Sequence, residues 1–171
     1  MTIETMNSGT VNGAAAGDLT IGVISDTHGL LRPEAIAALA GVDYILHAGD
    51  VGAADILDAL RGIAPLTAIR GNVDGSGVCG ALPATDAVEL AGRLFYLVHS
   101  VQDLDINPAA AGVACVVSGH SHRAEMEERS GVLYLNPGSA GPRRFNLPVT
   151  LAMVSLSGQG MAARIVILQC G

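Results

Sequence analysis

The chain has no lysine. All nine of its basic residues are arginine, set against 16 acidic ones, for a formal net charge of −7 over 171 residues. A polyanionic backbone is bound by clustered cations that release counterions, so long nucleic acid is not an expected partner. Cysteine is sparse and scattered: Cys79, Cys115 and Cys170 form no CxxC pair. An odd, dispersed set excludes a disulfide framework and fits a reducing, cytoplasmic setting; Cys115, inside an apolar run, reads as a buried inert thiol. No apolar run approaches the ~18 residues needed to span a bilayer, and the N-terminus lacks the basic-then-apolar order of a secretory signal. Tryptophan is absent and aromatics are 3% of the chain. Half the residues are nonetheless hydrophobic, mostly Ala, Val, Leu and Ile, enough for one well-buried domain.

Residues 1–18 are small, polar and glycine-rich, and read as a flexible tail. Residues 19–171 read as a single domain. It opens with the strand LTIGVIS, a helix RPEAIAALA with Pro33 in its first turn, the strand DYILHA, a helix AADILDALRGI with Ile56, Leu57 and Leu60 on one face, and the strand PLTAIR. This β-α-β-α-β order predicts parallel strands with right-handed crossovers. The remainder of the chain is strand-rich and reads as an antiparallel half. Hairpins are expected around Ala91-Gly92, Ser130-Gly131 and Ser157-Gly158, with a short helical segment near NPAAAG before the strand VACVVSG. The expected class is α/β (α+β): two mixed sheets packed face to face, with helices outside.

The polar residues at the ends of these apolar runs carry the chemistry. Strand carboxyl ends are where open α/β sheets bind ligands. Asp26 and His28 are separated by one residue, so in extended chain they point the same way and can share an ion; Gly29 permits a turn behind them. A helix cap with a surface histidine is the plain alternative. Asp50 follows Gly49, and its two oxygens can bridge two cations or cap the helix starting near Ala53. Asn72, after Gly71, offers a carbonyl oxygen to a metal and an amide to a substrate oxygen, or is a turn asparagine. Asp74 could orient a neighbour, but reads more simply as solvated. His99 closes a strand and is weak evidence alone. His120 and His122 follow Gly119, two imidazoles one residue apart. Mixed N/O ligation suits Mn, Zn, Fe or Ni rather than calcium. His47, inside a strand among core-like neighbours, reads as a structural or supporting group. Arg143 and Arg144 could reach a phosphate but read more simply as surface residues.

The ordered set Asp26-Thr27-His28, Gly49-Asp50, Gly71-Asn72, His99 and Gly119-His120-Ser121-His122 resembles the calcineurin-like metallophosphoesterase superfamily. Asn136-Pro137-Gly138-Ser139 is similar to its small-phosphodiesterase branch. The resemblance implies a four-layer αββα sandwich and a dinuclear site. Asp26, His28, Asp50 and His122 would hold one ion, and Asp50, Asn72, His99 and His120 the other. It implies manganese, with nickel, magnesium, zinc or iron as alternatives, and a homodimer or larger homo-oligomer. Two ions bring +4 and the two aspartates return −2, so the site would attract a phosphate anion despite the acidic surface. The implied activity is hydrolysis of small phosphodiesters by a two-metal-activated hydroxide, with Asn72 on the equatorial oxygens. The position after Asn72 is Val73, where many members have a histidine proposed to protonate the leaving group, so activated diesters are the expected substrates. The alternative is a non-catalytic scaffold like the retromer subunit Vps29, which shares the fold and has lost part of the ligand set. A third reading is a metal sensor that binds ions without hydrolysing any phosphoester.

Overall fold

The computed structural model describes residues 18–171. The tail expected over residues 1–18 lies, apart from Asp18, outside the described residues. The first half folds as its periodicity predicts. Strand β1 (Leu19–Ile24), helix α1 (Pro33–Leu39), strand β2 (Tyr44–His47), helix α2 (Ala54–Arg61) and strand β3 (Leu66–Ala68) alternate, and the three strands pair in parallel. Pro33 opens α1, where its missing N–H costs nothing. Helix α2 buries Ile56, Leu57 and Leu60. A hairpin of β9 (Thr150–Ser157) and β10 (Gly160–Ile167) completes the sheet, giving the order β10-β9-β1-β2-β3. Its turn falls at 158–159, one residue later than expected.

The second sheet contains β4 (Thr85–Leu90), β5 (Arg93–Val98), β6 (Val113–Val117), β7 (Ala124–Arg129) and β8 (Val132–Pro137), in the order β4-β5-β6-β8-β7. The two hairpins turn through left-handed pairs, Ala91-Gly92 (φ 47° and 76°) and Ser130-Gly131 (φ 51° and 77°). Such turns match the twist of the strands they join. Strands β5, β6 and β8 are mutually parallel, which corrects the antiparallel half expected: the hairpin partners β4 and β7 lie at the edges and crossovers join the three central strands. The β5–β6 crossover, residues 99–112, contains a 3-10 turn at Val101–Asp103, and the expected NPAAAG helix is a hydrogen-bonded turn. Those elements cover the outer face of the second sheet over Val98, Val113, Val116 and Val132. Helices α1 and α2 cover the outer face of the first.

The two sheets meet through a dry aliphatic layer that includes Ile21, Val23, Leu46, Phe95, Leu97, Val117, Leu135 and Val154. Each such side chain contributes roughly 1.5–3 kcal/mol on burial. This packing fixes the relative positions of the two sheets. The carboxyl ends of β1, β2 and β3 therefore face those of β5, β6 and β8 across one rim.

Candidate metal centre

The loops at that rim are stitched together by the backbone. The amides of Asp26 and His28 donate to the carbonyls of Gly49 and Asp50 at 3.0 and 2.9 Å, and the Gly119 amide donates to the His99 carbonyl at 2.9 Å. These contacts bring five of the seven candidate ligands together. Nε2 of His122 lies 3.3 Å and Nε2 of His28 lies 3.6 Å from Asp26 Oδ1, and the two imidazole nitrogens are 3.2 Å apart. Asp50 Oδ2 is 3.2 Å from His99 Nε2 and 3.6 Å from His28 Nε2. His99 Nε2 is 4.0 Å from Asp26 Oδ1. Two ligand triads result, Asp26–His28–His122 and Asp26–Asp50–His99. Both carboxylates face both halves, so Asp26 shares the spanning position expected of Asp50.

Asn72 and His120 stand outside the triads. His120 is exposed and Asn72 lies at the rim. The His120 ring lies edge-on to His99 with centroids 5.3 Å apart, and Asn72 lines a cavity with His99.

Five of the seven candidate ligands are not in extended chain. Asp26 (φ 55°), His28 (φ 45°), Asp50 (φ 54°), His120 (φ 70°) and His122 (φ 61°) all adopt left-handed backbone. Non-glycine residues rarely do so, and such strain concentrates at functional sites. The one-residue spacing of Asp26 and His28 thus works through two left-handed residues rather than through strand alternation.

The neighbouring glycines have a steric reason. A Cβ at Gly71 would collide with the Asp50 carboxylate, and one at Gly119 with Ser25 Oγ and the Asp26 carboxylate. The carboxylates occupy the volume that side chains there would need.

Supporting groups orient Asp26, Asp50 and His99, whereas His122 Nδ1 is buried without a partner. Asp26 Oδ2 accepts from the Ser25 hydroxyl at 2.6 Å and from the His120 amide at 3.1 Å, leaving Oδ1 free. Asp50 Oδ1 accepts from the Val73 amide at 2.9 Å, leaving Oδ2 for the centre. His99 Nδ1 donates to the Ala48 carbonyl at 2.8 Å, which turns the Nε2 lone pair inward. The Asn136 amide donates to the Gly119 carbonyl and to Ser121 Oγ at 2.9 and 3.0 Å, and Ser139 Oγ donates to the Asp26 carbonyl at 2.9 Å. The Asn136–Ser139 segment is therefore a latch between the Asp26 and His120 loops.

Asp74 corrects the solvated reading. It is buried and accepts three backbone N–H bonds, from Val51, Gly52 and Gly71, at 3.0, 3.0 and 2.9 Å. It clamps the Asp50 loop to the Asn72 loop. A carboxylate three residues after the glycine of a G-N loop was the available signal.

His47 lies outside both triads, fully buried. Its Nδ1 accepts from the Gly49 amide at 3.1 Å. Thr27 Oγ1 donates to the Val51 carbonyl at 2.9 Å, so it accepts from His47 Nε2 at 3.0 Å. Every polar atom of this imidazole is satisfied in the neutral form, and burial pushes its pKa down to about 4.

The electrostatics favour cations. Burial opposes ionisation of Asp50, but the adjacent His99 imidazole and the Val73 amide outweigh it and hold the carboxyl at about 2. Burial raises the Asp26 carboxyl, a cost that a nearby positive charge would offset. His28 and His122 are pushed down, first by burial, with the Arg144 charge acting in the same direction on both. They are thus kept as neutral donors. Asp26 Oδ1 and His99 Nε2 are buried without hydrogen-bond partners and face the same space. Buried polar atoms of this kind call for an ion or equivalent partner. The donor set, two carboxylates with three imidazoles, fits divalent transition metals.

A carboxylate–imidazole cradle at the seam of two stacked sheets defines a metal-binding α/β protein. The chain belongs to the calcineurin-like phosphoesterase superfamily, whose domain model matches residues 19–159. A protein of Methanothermobacter thermautotrophicus named "Probable metallophosphoesterase" is 32% identical over 161 residues, covering 86% of this chain and 92% of that protein. Among solved structures, one described as a novel archaeal phosphodiesterase superposes with a TM-score of 0.74 at 23% identity, covering 88% of this chain and 100% of the other. Vacuolar Protein Sorting 29 of Cryptosporidium parvum superposes at 0.71 with 19% identity, covering 87% and 97%. These two likenesses concern the fold. No helix among the described residues is long and apolar enough to cross a membrane.

Proposed function

We propose that this protein is a phosphodiesterase that uses two divalent cations, manganese first among them, to hydrolyse small phosphodiesters. The observation that carries the reading is the pair of triads sharing Asp26, with unsatisfied Oδ1 and Nε2 atoms between them. Asp26, His28, Asp50 and His122 would hold one cation, and Asp50, His99, His120 and Asn72 the other. Bound cations would supply charge stabilisation and an activated water.

The chain's own residues do the rest. The Ala48 carbonyl and the Val73 amide fix which atoms of His99 and Asp50 face the cradle. Asn72, exposed at the rim, would donate its amide to a phosphoryl oxygen. Val73 is 52% exposed and has no proton to give, so a leaving alkoxide would depend on solvent, and aryl or otherwise activated esters should turn over best. The free thiols of Cys79, Cys115 and Cys170 are consistent with a reducing, cytoplasmic location. A Vps29-like scaffold role is supported by the shared fold alone, and the five converged ligands weigh against it.

The test is a phosphoester panel run on metal-stripped protein refilled with one ion at a time. Hydrolysis of bis-aryl diesters, dependent on two equivalents of metal per chain, is expected. Saturation at a single cation, or no turnover with any ion, overturns the proposal.

A further inference from the structure

Beside the cradle lies a cavity of about 400 Å³ that opens between Asn72 and His99. That volume falls in the range of small-ligand pockets. Its wall carries Arg70, Thr85, Asp103 and Asp105, with only Ala84 and Val98 as apolar side chains. We propose that this cavity is the subsite for a vicinal-diol arm of the phosphodiester, a glyceryl or ribosyl group, and so sets substrate choice. The inference rests on the phosphodiesterase reading above.

The polar groups are pre-set rather than self-satisfied. Arg70 Nη1 donates to the Leu82 carbonyl at 2.8 Å, which fixes the guanidinium while leaving its other N–H groups free to donate. Tyr96 donates its hydroxyl to Asp105 Oδ1 at 3.2 Å, so Oδ2 remains an open acceptor. Among the described residues the arginines that form ion pairs are Arg61 and Arg129. Arg70, Asp103 and Asp105 thus line one space without neutralising one another.

A carboxylate held in place, as Asp105 is by Tyr96, accepts from sugar hydroxyls, and a donor for the same oxygens beside it completes the usual chemistry of diol recognition. The cavity is lined by no Phe, Tyr or Trp on which a base or aryl ring could stack, and its one aromatic ring, His99, lies edge-on to His120 and carries its Nε2 to the cradle. The diol arm therefore belongs here, and an aryl or base-bearing arm must point out of the other side of the cradle.

The experiment compares glyceryl p-nitrophenyl phosphate with propyl p-nitrophenyl phosphate on the manganese-loaded full chain. The two diesters share a leaving group and differ by two hydroxyls. The expected kcat/KM ratio is at least about tenfold in favour of glyceryl, a gap of about 1.4 kcal/mol. It should collapse toward unity in Asp105→Asn and in Arg70→Gln, with folding checked by circular dichroism. Equal turnover of both esters by the wild type overturns the subsite and leaves the phosphodiesterase reading standing, as does preference for a choline-bearing arm over glyceryl. A separate NMR titration with glycerol 3-phosphate and propyl phosphate reads binding without turnover. Selective shifts of the Thr85 and Val98 amides by the glycerol compound support the subsite even if no diester is cleaved. Absence of selective shifts overturns it.

Discussion

Replacing Asp74 by alanine removes the acceptor for three backbone amides at once. Hydrogen bonds to a charged acceptor contribute about 1.5–3 kcal/mol each, and a buried donor left unpaired costs about 1–3 kcal/mol. The Val51 donor is buried, whereas those of Gly52 and Gly71 are partly buried and can recover water. Summing one full loss and two partial ones gives about 4 kcal/mol. For a domain of this size that is about a 10 °C fall in Tm, or about 2 M in the urea midpoint at a slope near 2 kcal/mol/M. Asp74→Asn keeps one oxygen acceptor and should lose roughly half as much. Urea unfolding of metal-free protein measures this directly, with an unchanged slope as the sign that the comparison holds. Because the clamp joins the Asp50 and Asn72 loops, manganese affinity should fall in parallel. A loss under about 1 kcal/mol for Asp74→Ala would show that the three bonds do not organise the loops.

Three further outcomes rest on the same geometry. Metal at a hundredfold above its dissociation constant should stabilise the fold by about 2.7 kcal/mol, seen as a rise in Tm reversed by chelator. Asp26→Ala should abolish that rise; a rise of unchanged size would remove Asp26 from the centre. His47 is held near 4 when folded and has an ordinary pKa of 6.5 when unfolded. The unfolded chain thus binds the extra proton first, and stability is full above pH 6.5 and declines as pH falls toward 4, by about 3 kcal/mol in all. Chemical denaturation across that window in wild type and His47→Gln reads the contribution as a difference in slope; identical slopes would refute it. Gly71→Ala should push against the Asp50 carboxylate, costing about 1–3 kcal/mol and at least tenfold in metal affinity, readable by calorimetry. Normal affinity in that variant would mean the loop yields freely.

The alternating first half was legible because its signals are local. Pro33 marks a helix start, and the α2 face of Ile56, Leu57 and Leu60 follows the helical repeat. The second half was harder because its parallel pairs are non-local. Strands β5, β6 and β8 associate through crossovers without an α-helix, so the hairpin signals at Ala91-Gly92 and Ser130-Gly131 showed and the parallel pairing did not. The ligand types were readable at the strand ends, and five of them converge. What sequence could not supply was conformation: Asp26 and His28 meet through left-handed backbone, and Asp74 turns inward because three amides from separate loops need one acceptor. Neither depends on a repeat or on residue type alone.

The left-handed backbone at Asp26, His28, Asp50, His120 and His122 constrains how this centre can change over generations. Asparagine, aspartate and histidine tolerate that conformation better than other side chains, glycine apart. The same short list supplies metal donors. A mutation that discards a donor at one of these positions therefore meets a conformational penalty as well, unless it lands on glycine or asparagine. Drift away from ion binding would be funnelled through those two residues, and a descendant that had abandoned the centre would carry them as its scar.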